Sequence, residues 1–314
     1  MGILLSAQGH RVTLWSAFAD YIGEMRRARE NVKFLPGIQL PPELRLTADL
    51  AEGWDGCEVL VIAVPSQYLR QVLGRCSGGP WQKVLAVSVV KGIDPDSLQR
   101  MSELIRSLVP ANRLAVLSGP TISQEVARGI PSTAVAASEE AEAARETQEL
   151  FTSDHFRIYT SSDVTGVELG GALKNVVAIA SGAADGLGMG TNTKAALVTR
   201  GLAEISRLGA AMGAVEKTFA GLSGLGDLIT TCFSPQSRNR SVGEAIGRGK
   251  TVAEVTGGMV QVAEGITTAK SAHALSLKHH VEMPIITSVY QVLYEGRSAR
   301  ETVGGLMHRP PKPE

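Results

Sequence analysis

Between Gly166 and Arg240 the chain carries GVELGGALKN, then GLGDLITT, then SPQSRNR. These motifs set Lys174, Asn175, Asp227, Arg238 and Asn239 among glycines inside otherwise apolar, helix-periodic sequence. An ordinary core carries no such groups, because a buried charge must be paired or it is costly. The pattern reads as a lined pocket for a small polar anion. Asp227 and Thr231 are four apart and would share one helical face, where Asp227 can accept a hydrogen bond from a ligand hydroxyl or hold Lys174. Equally, Asp227 after Gly224 and Gly226 can be a simple N-cap. In SRNR, Ser237, Arg238 and Asn239 open a predicted helix, so backbone N–H groups, the helix dipole and a guanidinium can converge on a phosphate. The plain alternative is a solvated basic turn.

Further candidates lie upstream. Lys91 follows the strand-like KVLAVSVV and so sits at the carboxyl end of a parallel strand, where ligands bind in open α/β sheets. It can serve as a second cation, or it is a solvated turn lysine before Gly92. In SGPTIS, Gly119 allows close backbone approach, and the hydroxyls of Thr121 and Ser123 can donate to oxygens. Thr121 with Gln124 also fits a capping box, with Pro120 introducing the helix.

These residues need a frame. The first half alternates apolar runs (RVTLW, VLVIAV, KVLAVSVV, RLAVL) with helical patterns (SQYLRQVLGRC, DSLQRMSELIRSLV), which predicts buried parallel strands in a doubly wound α/β sheet. STAVAAS and FRIYTSS add two more strands, and no strand signal follows. The second half is therefore expected to be all-helical, with the boundary near Ser162: residues 1–162 as one domain and 163–314 as the other. A length of 314 residues suits two cores.

Composition narrows the function classes. Lys plus Arg and Asp plus Glu balance at 31 each, with no run of like charge, so neither a nucleic-acid nor a membrane-surface footprint is expected. No apolar run approaches the ~18 residues of a membrane span. The scattered Cys57, Cys76 and Cys232 lack ligand or disulfide spacing, and the histidines form no HExxH; no metal and a cytoplasmic location are expected.

A doubly wound sheet usually opens with a strand and a glycine-rich turn holding a pyrophosphate at a helix N-terminus. The opening MGILLSAQGH instead reads as the last turns of that helix, stopped at Gly9, and Gly2 cannot stand in for the turn. The expectation is a start codon assigned too far downstream, or else loss of the segment.

From GHRVTLW through NVKFLPGIQLP, VPSQYLR, VVKGI, LSGPTISQEVARG, VELGGALKNVVAIASGAADGLG, NTKAAL, GLGDLITTC, SRNR and QVAEG to VLYEG, the chain resembles the bacterial type of NAD(P)-dependent glycerol-3-phosphate dehydrogenase. The resemblance runs through nearly the whole sequence in order. It implies a Rossmann-like dinucleotide domain, incomplete at its N-terminus, followed by a helical substrate domain of the 6-phosphogluconate dehydrogenase-like type. It also implies reversible reduction of dihydroxyacetone phosphate to sn-glycerol 3-phosphate, a unit of glycerophospholipids. By resemblance Lys174 is the proton acceptor, with its pKa lowered by burial and a second cation. Gly170 and Gly171 would leave room for the ligand. Lys91 would contact both cofactor and substrate. Gly119, Thr121, Asn175, Asp227, Thr231, Ser237, Arg238 and Asn239 would line the substrate site, and Ser123, Arg238, Val262 and Glu264 the cofactor site. Thr121 keeps a hydroxyl that the family carries as serine, whereas Ser123 stands where the family often has alanine. On sequence alone Val262 and Glu264 are merely a loop.

Cofactor choice between NAD and NADP turns on Ala17. Related enzymes commonly have a basic or polar residue there, two past the tryptophan, so a 2′-phosphate loses one partner. Glycine-rich helices in the second half could pack across a homodimer. Two alternatives stand beside the dehydrogenase: a cofactor-deficient phosphate-binding protein, and a related hydroxyacid or ketopantoate reductase, against which the phosphate-ready SRNR argues.

Overall fold

The structure is a computed structural model, and it describes residues 1–259 and 263–311. The chain forms two compact units. One comprises Met1–Val64, Tyr68–Val89 and Ser102–Ser162; the other takes Pro65–Gln67, Val90–Met101 and the chain from Asp163 onward.

In the first unit, α1 (Gly2–Ala7) ends at Gly9, whose φ of 85° lets His10 N–H reach back to the Leu5 carbonyl at 3.1 Å. β1 (Thr13–Trp15) follows at once, then α2 (Ala19–Ala28), a small antiparallel pair β2 (Glu30–Asn31) and β3 (Leu35–Gln39), and β4 (Arg45–Thr47), which runs parallel to β1. β2, β3 and β4 escape a sequence reading because they are short, and β3 holds Pro36 and Gly37 instead of an alternating pattern.

After α3 (Leu50–Trp54) come β5 (Val59–Ile62), α4 (Ser66–Cys76), β6 (Leu85–Ser88), α5 (Met101–Leu108), β7 (Arg113–Ser118), α6 (Ser123–Ala127), β8 (Ser132–Ala137), α7 (Ala141–Phe151) and β9 (Phe156–Ser161). The five-stranded sheet has the order β5-β6-β7-β8-β9. β5, β6 and β7 are parallel as expected from their continuous apolar character, and Leu85, Val87, Leu117, Phe151 and Phe156 share a core with Leu5 of α1.

β8, however, runs antiparallel to β7, with Ser118 opposite Val135. The cause is the connection. α6 has five residues, about 7.5 Å of helix, and cannot carry the chain back along a strand of roughly 20 Å. α5 also starts later than its sequence pattern suggests, because residues 94–100 fold into a tight loop with Leu98 at φ 58°.

The second unit contains no strand among its described residues. Its axis is α8 (Val164–Gly186), opened by Asp163, whose carboxylate accepts from Gly166 N–H at 2.9 Å. Around it lie α9 (Thr191–Ala211), α10 (Asp227–Phe233), α11 (Arg238–Gly247), α12 (Val252–Gly257), α13 (Glu264–Lys278), α14 (Pro284–Tyr294) and α15 (Ala299–Met307).

α8 and α11 meet backbone to backbone. A Cβ on Gly182 would lie 1.9 Å from the Arg240 carbonyl oxygen, and one on Gly243 would lie 1.9 Å from that of Ile179. Gly186 and Gly247 repeat the arrangement one turn on, against Glu244 and Ala183. These glycine faces are therefore occupied within the chain, which removes the packing argument for a homodimer built on them. The contact also fixes the N-terminus of α11 relative to α8.

Candidate functional site

Lys174 projects from the middle of α8 and is only 6% exposed. Its Nζ donates to Asp227 Oδ1, and to Thr231 Oγ1 at 2.7 Å. Asp227 and Thr231 lie one turn apart on α10, as their spacing predicted. The Thr231 hydroxyl spends its own proton on the Asp227 carbonyl, 2.7 Å away, which leaves its oxygen to accept from the lysine. Lys91 Nζ takes the other oxygen of Asp227 at 2.6 Å.

Two ammonium groups thus share one carboxylate that is 1% exposed. The electrostatic result follows. Burial lowers the Lys174 pKa to about 8, opposed by Asp227 and aided by the Lys91 charge.

The turn before α10 is a π-helical turn, Leu222–Gly226. It packs tightly on α8: a Cβ on Gly170 would lie 2.5 Å from the Ser223 carbonyl oxygen. Gly170 therefore makes room for this turn and not, as its motif suggested, for a ligand.

Ser237 caps α11, its Oγ accepting from Arg240 N–H at 3.2 Å, and Arg238 is the first helical residue, with an exposed side chain. Asn239 is buried and accepts Gly265 N–H on Oδ1 at 2.9 Å; a Cβ on Gly265 would touch the buried Asn175 at its carbonyl oxygen, 2.6 Å away. Of the two arginines in SRNR, Arg240 is held by Asp185 at 2.8 Å and Glu244 at 3.3 Å. Arg238 is the one at the helix mouth.

Glu264 is the first residue of α13, not part of a loop, and its carboxylate accepts Ser66 N–H at 3.3 Å. Burial raises its pKa against the pull of Arg238, Lys91 and Lys174. The second unit therefore gathers Lys91, Lys174, Asn175, Asp227, Thr231, Arg238, Asn239 and Glu264 about α8 and its neighbours. Val262 lies outside the described residues.

The other candidates belong to the first unit. Gly119 has φ 154°, and a Cβ there would lie 2.8 Å from Ala134 Cα, so the loop passes directly over β8. Thr121 Oγ1 donates to the Gly119 carbonyl at 3.1 Å. The expected capping box does not form, because α6 starts one residue later than it requires, with Ile122 as its N-cap and no side-chain cap. Ser123 is the exposed first residue of α6.

A dinucleotide suits this unit: three parallel strands end on one side, and the buried Ser118 hydroxyl at the end of β7 has no protein partner. Ala17, two residues past Trp15, offers no cation. Arg26 is exposed, and its Nε donates to the Leu46 carbonyl at 3.0 Å.

Sequence reasoning passed over a buried pair, Arg100 and Glu168. The criterion that singled out Lys174, a charge inside glycine-rich apolar helix, applies equally to Glu168. Among the described residues there is no cluster of three or more His, Cys, Asp or Glu side chains arranged for a metal. None of their helices is long and apolar enough to cross a membrane. A surface groove between α9 and the turn at Glu216–Ala220 shares no residue with the Lys174 cluster.

Two family models match the sequence: NAD-dependent glycerol-3-phosphate dehydrogenase N-terminus over residues 1–144, and its C-terminus over 163–304. This chain belongs to that dehydrogenase family. Glycerol-3-phosphate dehydrogenase [NAD(P)+] of Citrifermentans bemidjiense is 51% identical, over 99% of this chain and 94% of that protein. The Geobacter metallireducens protein of the same name is 50% identical over the same shares. Among solved structures, glycerol-3-phosphate dehydrogenase from Coxiella burnetii superposes with a TM-score of 0.94 at 34% identity, covering 98% of this chain and 94% of that one. With these relatives the dehydrogenase fold is a Rossmann-like α/β unit followed by a helical one.

Proposed function

We propose that the chain interconverts dihydroxyacetone phosphate and sn-glycerol 3-phosphate, using NAD(H) or NADP(H), and that Lys174 is its acid–base group. The observation that carries this reading is the Lys174–Asp227–Lys91 cluster. An amine with a pKa near 8 is present in both protonation states close to neutral pH, which suits a group that must give and take a proton.

When bound, the nicotinamide supplies the hydride to, or takes it from, C2 of the substrate. In reduction the carbonyl π pair moves onto oxygen, which takes a proton from the Lys174 ammonium; the neutral amine then recovers a proton from solvent. In oxidation the neutral amine removes the hydroxyl proton. Asp227 and Thr231 hold the amine in place, and Lys91 adds a second positive charge to the site. Ser237, Arg238 and Asn239 at the mouth of α11 receive the phosphate, with Asn175, Gly119 and Thr121 contributing to the substrate site. Ser123, Val262, Glu264, Lys91 and Arg238 serve the cofactor.

Ala17 offers a 2′-phosphate no cation, whereas the exposed Arg26 keeps its charge, so either NADH or NADPH can serve as reductant. The free cysteines, with no spanning helix among the described residues, agree with a cytoplasmic location.

The test is the oxidation of NADH and of NADPH with dihydroxyacetone phosphate, set beside ketopantoate and unphosphorylated dihydroxyacetone. Turnover that depends on the phosphorylated ketone supports the reading. Faster turnover of ketopantoate replaces it with the reductase, and dinucleotide or phosphate binding without turnover of any substrate replaces it with a binding protein.

A further inference from the structure

Lys91 belongs to a closed loop that is anchored at both ends. At its start, Gly92 passes so near Ser66 that a Cβ there would lie 2.5 Å from the serine Cβ. Next, Ile93 buries its side chain in the core of the second unit, and its carbonyl accepts from Ser271 Oγ of α13 at 3.2 Å. The tip is folded by Asp94, which accepts from Ser97 N–H at 2.9 Å and Ser97 Oγ at 2.6 Å, while its own N–H meets the Gln99 carbonyl at 2.9 Å. The returning segment then pairs with the outgoing one, with Arg100 opposite Ile93. Arg100 thereby stands only two residues in register from Lys91.

Arg100 is 9% exposed and Glu168, on α8, is 7% exposed. Arg100 Nη1 meets Glu168 Oε2 at 2.5 Å. A buried ion pair contributes little net stability after desolvation, so packed apolar side chains would hold the loop as well; what charge and hydrogen-bond geometry add is a fixed position. The position matters because α8 carries both Glu168 and Lys174, six residues and about 9 Å apart along one rigid helix. One helix holds the loop's anchor and the lysine that the loop's own lysine acts on.

We propose that the Arg100–Glu168 pair positions Lys91 against Asp227 and through that contact sets the protonation of Lys174. Both are positioning residues, and the inference rests on the reading of Lys174 as the acid–base group. The charges acting on Lys174 are Asp227 of α10 and Lys91 of the loop; Lys174 in turn acts on Cys232 of α10, which Lys194 and Asp185 also affect, and on Glu264 of α13, which Arg238 of α11 also affects. Of these, only Lys91 is carried by the loop that Arg100 closes. Withdrawing Lys91 removes a repelling charge and leaves Asp227 wholly to Lys174; both changes raise the Lys174 pKa.

The experiment is an NMR titration of protein labelled with 13C-lysine, the Lys174 signal being assigned by its loss in Lys174→Arg. It needs no turnover, so it separates this inference from the proposed reaction. Arg100→Met, and Arg100→Met with Glu168→Leu to avoid a stranded carboxylate, should move the Lys174 midpoint up by roughly half a unit to one unit. Arg100→Lys should restore most of it. In a Lys91→Met background the Arg100 change should add nothing further. A midpoint that stays in place in folded Arg100→Met protein, or a shift that is additive with Lys91→Met, overturns the proposal. The predicted shift in a protein that does not reduce dihydroxyacetone phosphate would uphold the positioning and refute the reaction.

Discussion

Lys174 and Lys91 hold opposite oxygens of one buried carboxylate, that of Asp227, Lys91 at 2.6 Å. The carboxylate is what allows two ammonium groups to share an interior. Asp227→Asn keeps the shape and removes the charge. It should destabilise the protein by about 3 kcal/mol, near the low end for a broken buried pair, because Lys174 can release its proton. Chemical denaturation of the variant beside the native protein measures this.

The Lys174 pKa falls from 10.5 to about 8 on folding, so between those values the unfolded chain binds more protons. Stability therefore rises with pH across that window, by up to about 3 kcal/mol from this group, and the full penalty is present below pH 8. Cys232, raised to about 12 by burial, works in the opposite direction above pH 9. Because the Lys174 charge also acts on Cys232, the comparison is made between Cys232→Ala and Cys232→Ala with Lys174→Met, and that difference should follow the lysine. Activity should carry the same inflection: glycerol 3-phosphate oxidation climbing to a plateau above pH 8, and ketone reduction falling away there.

Arg238 stands at the N-terminus of α11 with Ser237 as cap. Its replacement by alanine should raise KM for dihydroxyacetone phosphate roughly 10- to 100-fold, the worth of a charge-assisted contact of about 1.5–3 kcal/mol. With NADH saturating, to offset the loss of Arg238 from the cofactor, the slow turnover of unphosphorylated dihydroxyacetone should fall much less. Equal losses on both substrates would remove the phosphate role.

Gly243→Ala tests the scaffold. Its Cβ would fall 1.9 Å from the Ile179 carbonyl oxygen, a clash with backbone that no rotamer relieves. A loss of at least 1–3 kcal/mol is expected from overpacking, with KM for the phosphorylated substrate rising as α11 is pushed off α8. Thermal unfolding and steady-state kinetics read the two effects.

The sequence discloses both the order of an α/β unit and a helical one and a buried cluster of charge in the second. Lys174, Asp227, Thr231 and SRNR are legible because charge inside apolar, glycine-rich helix needs a reason, and four-residue spacing fixes a shared face. Gly170 misleads because a glycine beside a buried lysine looks the same whether a ligand or another turn fills the space; only the Ser223 carbonyl in the structure decides. The antiparallel β8 depends on how far the short α6 can reach, a length that no strand pattern encodes. Glu264 lies beside residues with no periodic signal, so its place at the head of α13 is invisible locally. Arg100 pairs with Glu168 across 68 residues, and nothing in either neighbourhood names the other.

Turnover of Lys174→Ala tests the acid–base role most directly, measured as NADH-dependent reduction of dihydroxyacetone phosphate beside the native chain, after circular dichroism and NADH binding show the variant folded and loaded. Loss of the acid–base group predicts a fall in kcat of about 10² to 10⁴. A kcat within a few-fold of native would contradict it and place the proton elsewhere.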